Sequence, residues 1–233
     1  AILLASSRAE KEGIEPQKIF DLCFYIMIFA LLGARLLYVI VEYKYFLKAP
    51  LEIFKFWKGG LVFYGGLILG VTVALWYLKR HRMPVWKTSD LLAPSIALGQ
   101  GIGRWGCFFA GCCYGVKTDV PWAISFADPR SLAPLGIPLH PTQVYLSLNA
   151  LIIATFLIWL SKRKKFDGQI IWSYGIIYSI GRFAIEYLRG DDRGFAIDQF
   201  LSTSQFVGAF VFILSLFMLL TLRRKKTDEV PIS

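Results

Sequence analysis

Six stretches of this chain run apolar for long enough to cross a bilayer, and they decide most of what it can fold into. They lie at 19–41, 61–78, 89–110, 142–160, 169–188 and 204–222. A helix needs roughly 20 apolar residues to cover about 30 Å of hydrocarbon. The stretches lack the strict alternation of a transmembrane barrel strand. Lipid also leaves each spanning segment to satisfy its own backbone polar groups. The expected fold is an all-α polytopic membrane protein with six transmembrane helices. Composition agrees: 56% of the 233 residues are hydrophobic and 18% are charged, against about a quarter charged in a soluble domain.

The net charge of +10 is a topology signal. Lys and Arg cluster at 8–18, at 79–87 (KRHRMPVWK), at 162–165 (KRKK) and at 223–226 (RRKK). With six helices in series those clusters fall on one side, which the positive-inside rule assigns to the cytoplasm. The loops near 42–60, 111–141 and 189–203 then face outward, and their charges are mixed (Glu42, Lys44, Lys48, Glu52; Asp119, Asp128, Arg130; Asp191, Asp192, Arg193). Such placement fits contact with anionic membrane lipids and argues against nucleic acid as a partner.

The opening AILLASSRAEKEG (1–13) reads as the last turns of a helix entering the cytoplasm. A seventh, N-terminal helix ahead of it is therefore expected to be missing from the chain. Its basic residues follow the apolar ones, the reverse of a cleavable signal peptide. The whole of 1–233 reads as a single membrane-embedded domain. Within it, 111–141 is a small periplasmic cap whose five prolines between 119 and 143 permit only loop and short strand pieces, with WAISF (122–126) as a brief strand. The stretch 42–60 interleaves aromatics with Lys and Glu, as an interfacial amphipathic segment does.

Charge inside a membrane span is expensive and marks a functional candidate. Arg35, Arg104, Arg182 and Glu186 stand out. Arg182 and Glu186 are four residues apart on one helix face, with Tyr178 one turn earlier. Arg104 sits in GQGIGRWGCFFAGCCYG (99–115), where Gly103, Gly106 and their fellows let a helix or ligand approach the backbone. Guanidinium forks match phosphate oxygens two at a time. A lipid phosphate held by Arg104 and Arg182 would keep its tails in the bilayer. WKGGLVFYGGLILG (57–70) adds a second glycine-rich entry containing Tyr64. HPTQVY (140–145) starts a span with His140 at the outer boundary and with Thr142 or His140 as candidate cap.

Cys107, Cys112 and Cys113 cluster, and Cys23 lies elsewhere. Four readings stand side by side: small apolar filler, a disulfide in an oxidising compartment, a metal site with His140, or direct thiol chemistry.

These stretches resemble the prolipoprotein diacylglyceryl transferases of bacterial inner membranes. That family's signature runs Gly-Arg-x-Gly-Asn-Phe-x-Asn-x-Glu-x-x-Gly, and Gly103, Arg104, Gly106, Phe108 and Gly115 stand in register with it. The resemblance continues through GGLVFYGG, SDLLAP, HPTQVY, YSIGRFAIEYLR and STSQ (202–205), in order. It implies transfer of a diacylglyceryl group from phosphatidylglycerol to the lipobox cysteine of a prolipoprotein signal peptide, on the periplasmic side of the inner membrane. Glycerol phosphate is released, and no cofactor or metal is required. It further implies that Arg104 and Arg182 hold the headgroup and its departing phosphate, with Glu186, Tyr178, Gly103, Gly106 and His140 as substrate-binding residues. Asp90 matches an aspartate of the family. The chain departs from the pattern at Cys107, Ala110 and Cys112, in place of Asn, Asn and Glu, and at Tyr64, in place of His. A phenol near pKa 10 is a poor base at neutral pH, so Tyr64 would act only as a phenolate or as a donor that orients phosphate. The departures leave two alternatives open: an enzyme of the same fold with a different acceptor, or a non-catalytic lipid-binding or cysteine redox membrane protein.

Overall fold

The computed structural model describes residues 1–191, 195–197 and 201–228. Asp192 and Arg193 of the third outward loop, and the tail at 229–233, lie outside the described residues. The chain divides into two compact units, one of Ile2–Thr88 and one of Ser89–Ser233 with Ala1.

The first unit contains α1 (Ile2–Ala9), α2 (Pro16–Val41), α3 (Tyr43–Lys48) and α4 (Phe63–Arg80). Pro16 opens α2, where its fixed φ suits the first turn and its missing N–H is no loss. α2 and α4 touch backbone to backbone. A Cβ on Gly33 would collide with the carbonyl oxygen of Gly65, and a Cβ on Gly65 with that of Gly33. Small residues at a crossing are the means by which helices approach closely in lipid, where no hydrophobic force drives them together. Gly65→Ala is therefore expected to cost about 1–3 kcal/mol through overpacking. A lowered unfolding temperature in detergent, with helix content unchanged, is the measurement.

Arg35, a functional candidate by its charge, has a structural role. Its guanidinium donates to the carbonyls of Glu52, Ile53, Lys55, Gly59 and Gly60 and lies over the rings of Phe46 and Tyr38. The segment expected to be interfacial is thus α3 followed by two short 3₁₀ turns, gathered around one cation.

The second unit holds most of α5 (Val85–Ala110), then α6 (Thr142–Ser161), α7 (Gln169–Glu186) and α8 (Thr203–Asp228). A two-stranded antiparallel pair, β1 (Phe195–Ile197) and β2 (Leu201–Ser202), precedes α8. Ala93 and Ala97 of α5, Ile153, Ala154 and Leu157 of α6 and Ile170 of α7 form its core, with Tyr174 and Tyr178 packed on the margin. Asp90, 2% exposed, ties two elements together. It accepts from the backbone N–H groups of Gly168, Ile170 and Ile171 at 2.8–2.9 Å and pairs with Lys164 at 3.3 Å. A carboxylate therefore caps the start of α7 from a different helix, where the helix dipole favours negative charge.

Between α5 and α6, WAISF forms no strand. Ile124 bridges Leu139 and Phe126 bridges Leu135 as isolated pairs. Prolines supply no ladder N–H, and residues 121, 129, 134, 138 and 141 are proline.

α2, α6 and α8 are each long and apolar enough to cross a membrane, with mean hydropathies of 2.3, 2.0 and 2.3. Phe24, Met27 and Leu36 on α2 and Phe210, Ile213 and Phe217 on α8 are exposed. Large apolar side chains facing outward at this density suit lipid and not water. α4, α5 and α7 coincide with the remaining apolar stretches, diluted by glycine and polar residues. This is a mainly helical membrane protein.

Candidate functional site

The polar groups of the second unit gather where α5 ends and α7 ends. α5 stops in a Schellman motif. Gly111, at φ +67°, sends its N–H to the Phe108 carbonyl, and the Cys112 N–H reaches back to the Cys107 carbonyl at 3.1 Å. The next residue, Cys113, also has positive φ, at 62°. The first turn of α6 holds this loop in place. The Thr142 hydroxyl donates to the Cys113 carbonyl at 2.6 Å, and the Gln143 amide donates to the Cys112 carbonyl at 2.8 Å. Beyond it, the Val116 N–H bonds the Leu188 carbonyl, and the Gly190 N–H bonds that of Tyr114. The end of α7 is thereby stitched to the loop after α5.

Arg182 is 7% exposed. It pairs with Glu186 one turn on and donates to the Ser204 hydroxyl at 3.0 Å. Glu186 accepts from the hydroxyls of Ser202 and Ser204, both at 2.8 Å. Arg189, a residue the sequence did not single out, completes the group. Its side chain is 3% exposed; it forks onto Asp191 at 2.8 and 2.6 Å and lies 3.8 Å from Glu186. Its signal in the sequence is the spacing of three residues from Glu186, ahead of Gly190. On the other side Arg189 is electrostatically coupled to Cys113, whose sulfur lies 4.0 Å from Nη1 of Arg104. Arg104, Cys113, Arg189, Glu186 and Arg182 thus form a line of electrostatically coupled groups.

The charges along it are unequal. Arg182 has Glu186 and Arg189 has Asp191, whereas Arg104 has no carboxylate partner among the described residues. Charge in a membrane segment is expensive, so a half-buried guanidinium of this kind is a candidate for contact with an anion. In front of Gly103 and Gly106 a Cβ would meet nothing within 4 Å. Among the described residues nothing fills the space their missing side chains leave, so the backbone beside Arg104 is open there.

Between α7 and α8, along the turns flanking Arg182, lies a cavity of about 380 Å³. Apart from Ser179 its walls are apolar or glycine, including Ile180, Phe183, Ala209 and Phe212. Tyr178 stands in that stretch of α7, its ring tilted on Tyr174 at 5.6 Å and packed on the core.

Other sequence candidates have different surroundings. Tyr64 belongs to the first unit, 44% exposed with its ring edge-on to Phe63. Pro141 caps α6 by position, without a side-chain hydrogen bond, so neither Thr142 nor His140 serves as the expected cap. The His140 ring faces the Tyr145 hydroxyl at 3.2 Å, and that hydroxyl accepts from Trp122 at 2.6 Å. The metal-ligand group holds the three thiols of Cys107, Cys112 and Cys113, all within 4.8 Å of one another, and does not include His140. Burial first, then Cys113 and Cys107, push the Cys112 thiol up to about 12. It is therefore a poor nucleophile at neutral pH.

Comparison with known proteins follows the same lines. The family model for prolipoprotein diacylglyceryl transferase matches residues 1–221. The chain is 41% identical over 218 residues to the phosphatidylglycerol–prolipoprotein diacylglyceryl transferase of Clostridium tetani, covering 94% of this chain and 86% of that one. It is 42% identical over 215 residues to a second such transferase of Clostridium perfringens, covering 91% and 82%. With that of Finegoldia magna it shares 36% over 230 residues, covering 97% and 88%.

Proposed function

The chain belongs to the prolipoprotein diacylglyceryl transferase family, and from that premise we propose that it moves a diacylglyceryl group from phosphatidylglycerol to the cysteine thiol of a prolipoprotein. The observation that carries the reading is Arg104: a guanidinium with no carboxylate partner among the described residues, on an open backbone, electrostatically connected to the Arg182–Glu186 pair through Cys113 and Arg189. In this reading Arg104 takes the phosphate, and Arg182, held by Glu186 and Ser204, adds charge from α7. The cavity along α7 and α8 accepts acyl chain.

The thiolate of the acceptor attacks the glycerol carbon. A carbon–sulfur bond forms as the carbon–oxygen bond to phosphate breaks, glycerol phosphate leaves, and the thiol proton goes to solvent. Neutralising the leaving phosphate by positioned guanidinium groups lowers the barrier where charge develops. Exclusion of water strengthens that interaction. Gly103 and Gly106 admit the headgroup. Tyr178 and His140 border it, and Tyr64 is retained as a hydroxyl donor on the sequence resemblance alone.

The topology proposed with this function has six spans, with α2, α4, α5, α6, α7 and α8 in series. Residues 111–141 form a cap on the periplasmic face of the inner membrane, and 1–233 act as one transferase domain. The basic clusters at the α4–α5 and α6–α7 turns and at the end of α8 support that orientation.

The test is the purified protein in phosphatidylglycerol vesicles with a lipobox peptide. Glycerol phosphate should appear in step with a diacylglyceryl mass gain on the peptide. No release, with phosphatidylglycerol still bound, refutes the acceptor and favours a different one on the same lipid donor.

A further inference from the structure

Lipid transfer as described leaves three neighbouring thiols without a task, although the fold holds them in place by several means. The Schellman turn sets the Cys112 backbone on that of Cys107. Cys113, a non-glycine residue at positive φ, then turns the chain, a conformation that L residues rarely adopt and that persists only where the surroundings enforce it. Thr142 and Gln143 enforce it, each bonding the carbonyl of one of the two cysteines.

We propose that Cys107, Cys112 and Cys113, their sulfurs within 4.8 Å of one another, form a three-thiolate site for a thiophilic d¹⁰ cation, Zn²⁺ or Cu⁺. Metal–sulfur bonds of about 2.3 Å place three sulfurs roughly 4 Å apart. Closing the triangle therefore needs shifts on the order of 1 Å or less. Thiolates select these soft ions over Mg²⁺ or Ca²⁺. Binding replaces three S–H bonds by three metal–sulfur bonds and releases three protons, with no oxidation. The resulting complex has one net negative charge with Zn²⁺ and two with Cu⁺. Arg104, 4.0 Å from the Cys113 sulfur, and Arg189, electrostatically coupled to it, oppose that charge. All three cysteines are only partly buried, so an ion can enter and leave. A disulfide, by contrast, would use two of the sulfurs and leave the third without a role. His140 contributes nothing, because its ring is turned to Tyr145. A fourth Zn²⁺ ligand would be water, the open position typical of three-ligand sites.

The experiment uses the full chain in detergent, loaded with Zn²⁺ alone or with Cu⁺ alone under anaerobic conditions, dialysed, and analysed for metal. One ion per chain for either metal, three protons released per ion, and a sulfur-to-metal charge-transfer band with Co²⁺ as the probe are expected. Cys107→Ser and Cys112→Ser should each weaken binding by more than the roughly 10–100-fold that loss of an outer-shell partner produces. Cys23→Ser, which alters a thiol in the other unit, should leave it unchanged. Wild-type protein that retains neither metal overturns the proposal, whatever the variants do. So does retention by a folded triple serine variant.

Discussion

Arg104→Ala reduces glycerol phosphate release by about two to three orders of magnitude, the scale of losing one positioned charge donor, while thermal unfolding in detergent stays where it was. The two halves of that expectation have separate grounds. Activity falls because the departing phosphate loses the one guanidinium of the group that has no carboxylate to share it with. Stability holds because Arg104 is partly exposed and its hydrogen-bond partner among the described residues is a sulfur at 4.0 Å, which contributes little to the fold. Arg104→Lys restores charge without the fork, so intermediate activity should follow. Arg182→Ala gives the opposite pattern in stability: it strands Glu186, buried to 8% side-chain exposure, and activity and unfolding temperature fall together. Full turnover by folded Arg104→Ala protein would remove Arg104 from the reaction.

Asp90→Ala, far from that chemistry in role, should be the more damaging change to the fold, at about 3–5 kcal/mol, the range for breaking a buried charge arrangement. Three backbone N–H groups at the start of α7 lose their acceptor, and each buried unsatisfied donor is unfavourable by about 1–3 kcal/mol before relaxation. Lys164, with 14% side-chain exposure, keeps only Asp167. Asp90→Asn should recover part of the loss, since the amide oxygen still accepts. The measurement is chemical or thermal unfolding in detergent. A change below about 1 kcal/mol for Asp90→Ala would mean that water replaces the carboxylate.

The helices were legible because each of the six apolar runs coincides with a helix within a few residues, although only α2, α6 and α8 are long and apolar enough to cross a membrane among the described residues. The boundaries slipped where charge and helix coexist. α8 continues through the basic cluster to Asp228 instead of ending near 222, since long cationic side chains extend away from the apolar surface without breaking the backbone. α2 begins at Pro16, ahead of its apolar run, because a proline start depends on φ and not on hydropathy. The Arg182–Glu186 pair was legible from helical spacing alone. Arg189 was not: its position past the end of α7 reads as loop charge, and its burial arises from strand-like bonds between 114–116 and 188–190. Asp90 on α7 and Arg35 on five carbonyls were equally out of reach, for they join groups that no local period connects. The family pattern supplied the roles of Arg104 and Arg182. It offered no prior for three thiols in its polar half.

The crossing of α2 and α4 restricts which changes the chain tolerates. A single methyl is the least a point change can add to glycine, and at residues 33 and 65 there is no volume for even that. Around them Leu31, Leu32, Leu36 and Ile68 face outward, where one greasy side chain serves as well as another. Random drift should therefore scatter over the outer faces of this hairpin while halting at the crossing. A saturation library ought to show depleted columns at 33, 65 and 66, where a Cβ meets backbone oxygen, amid broader tolerance.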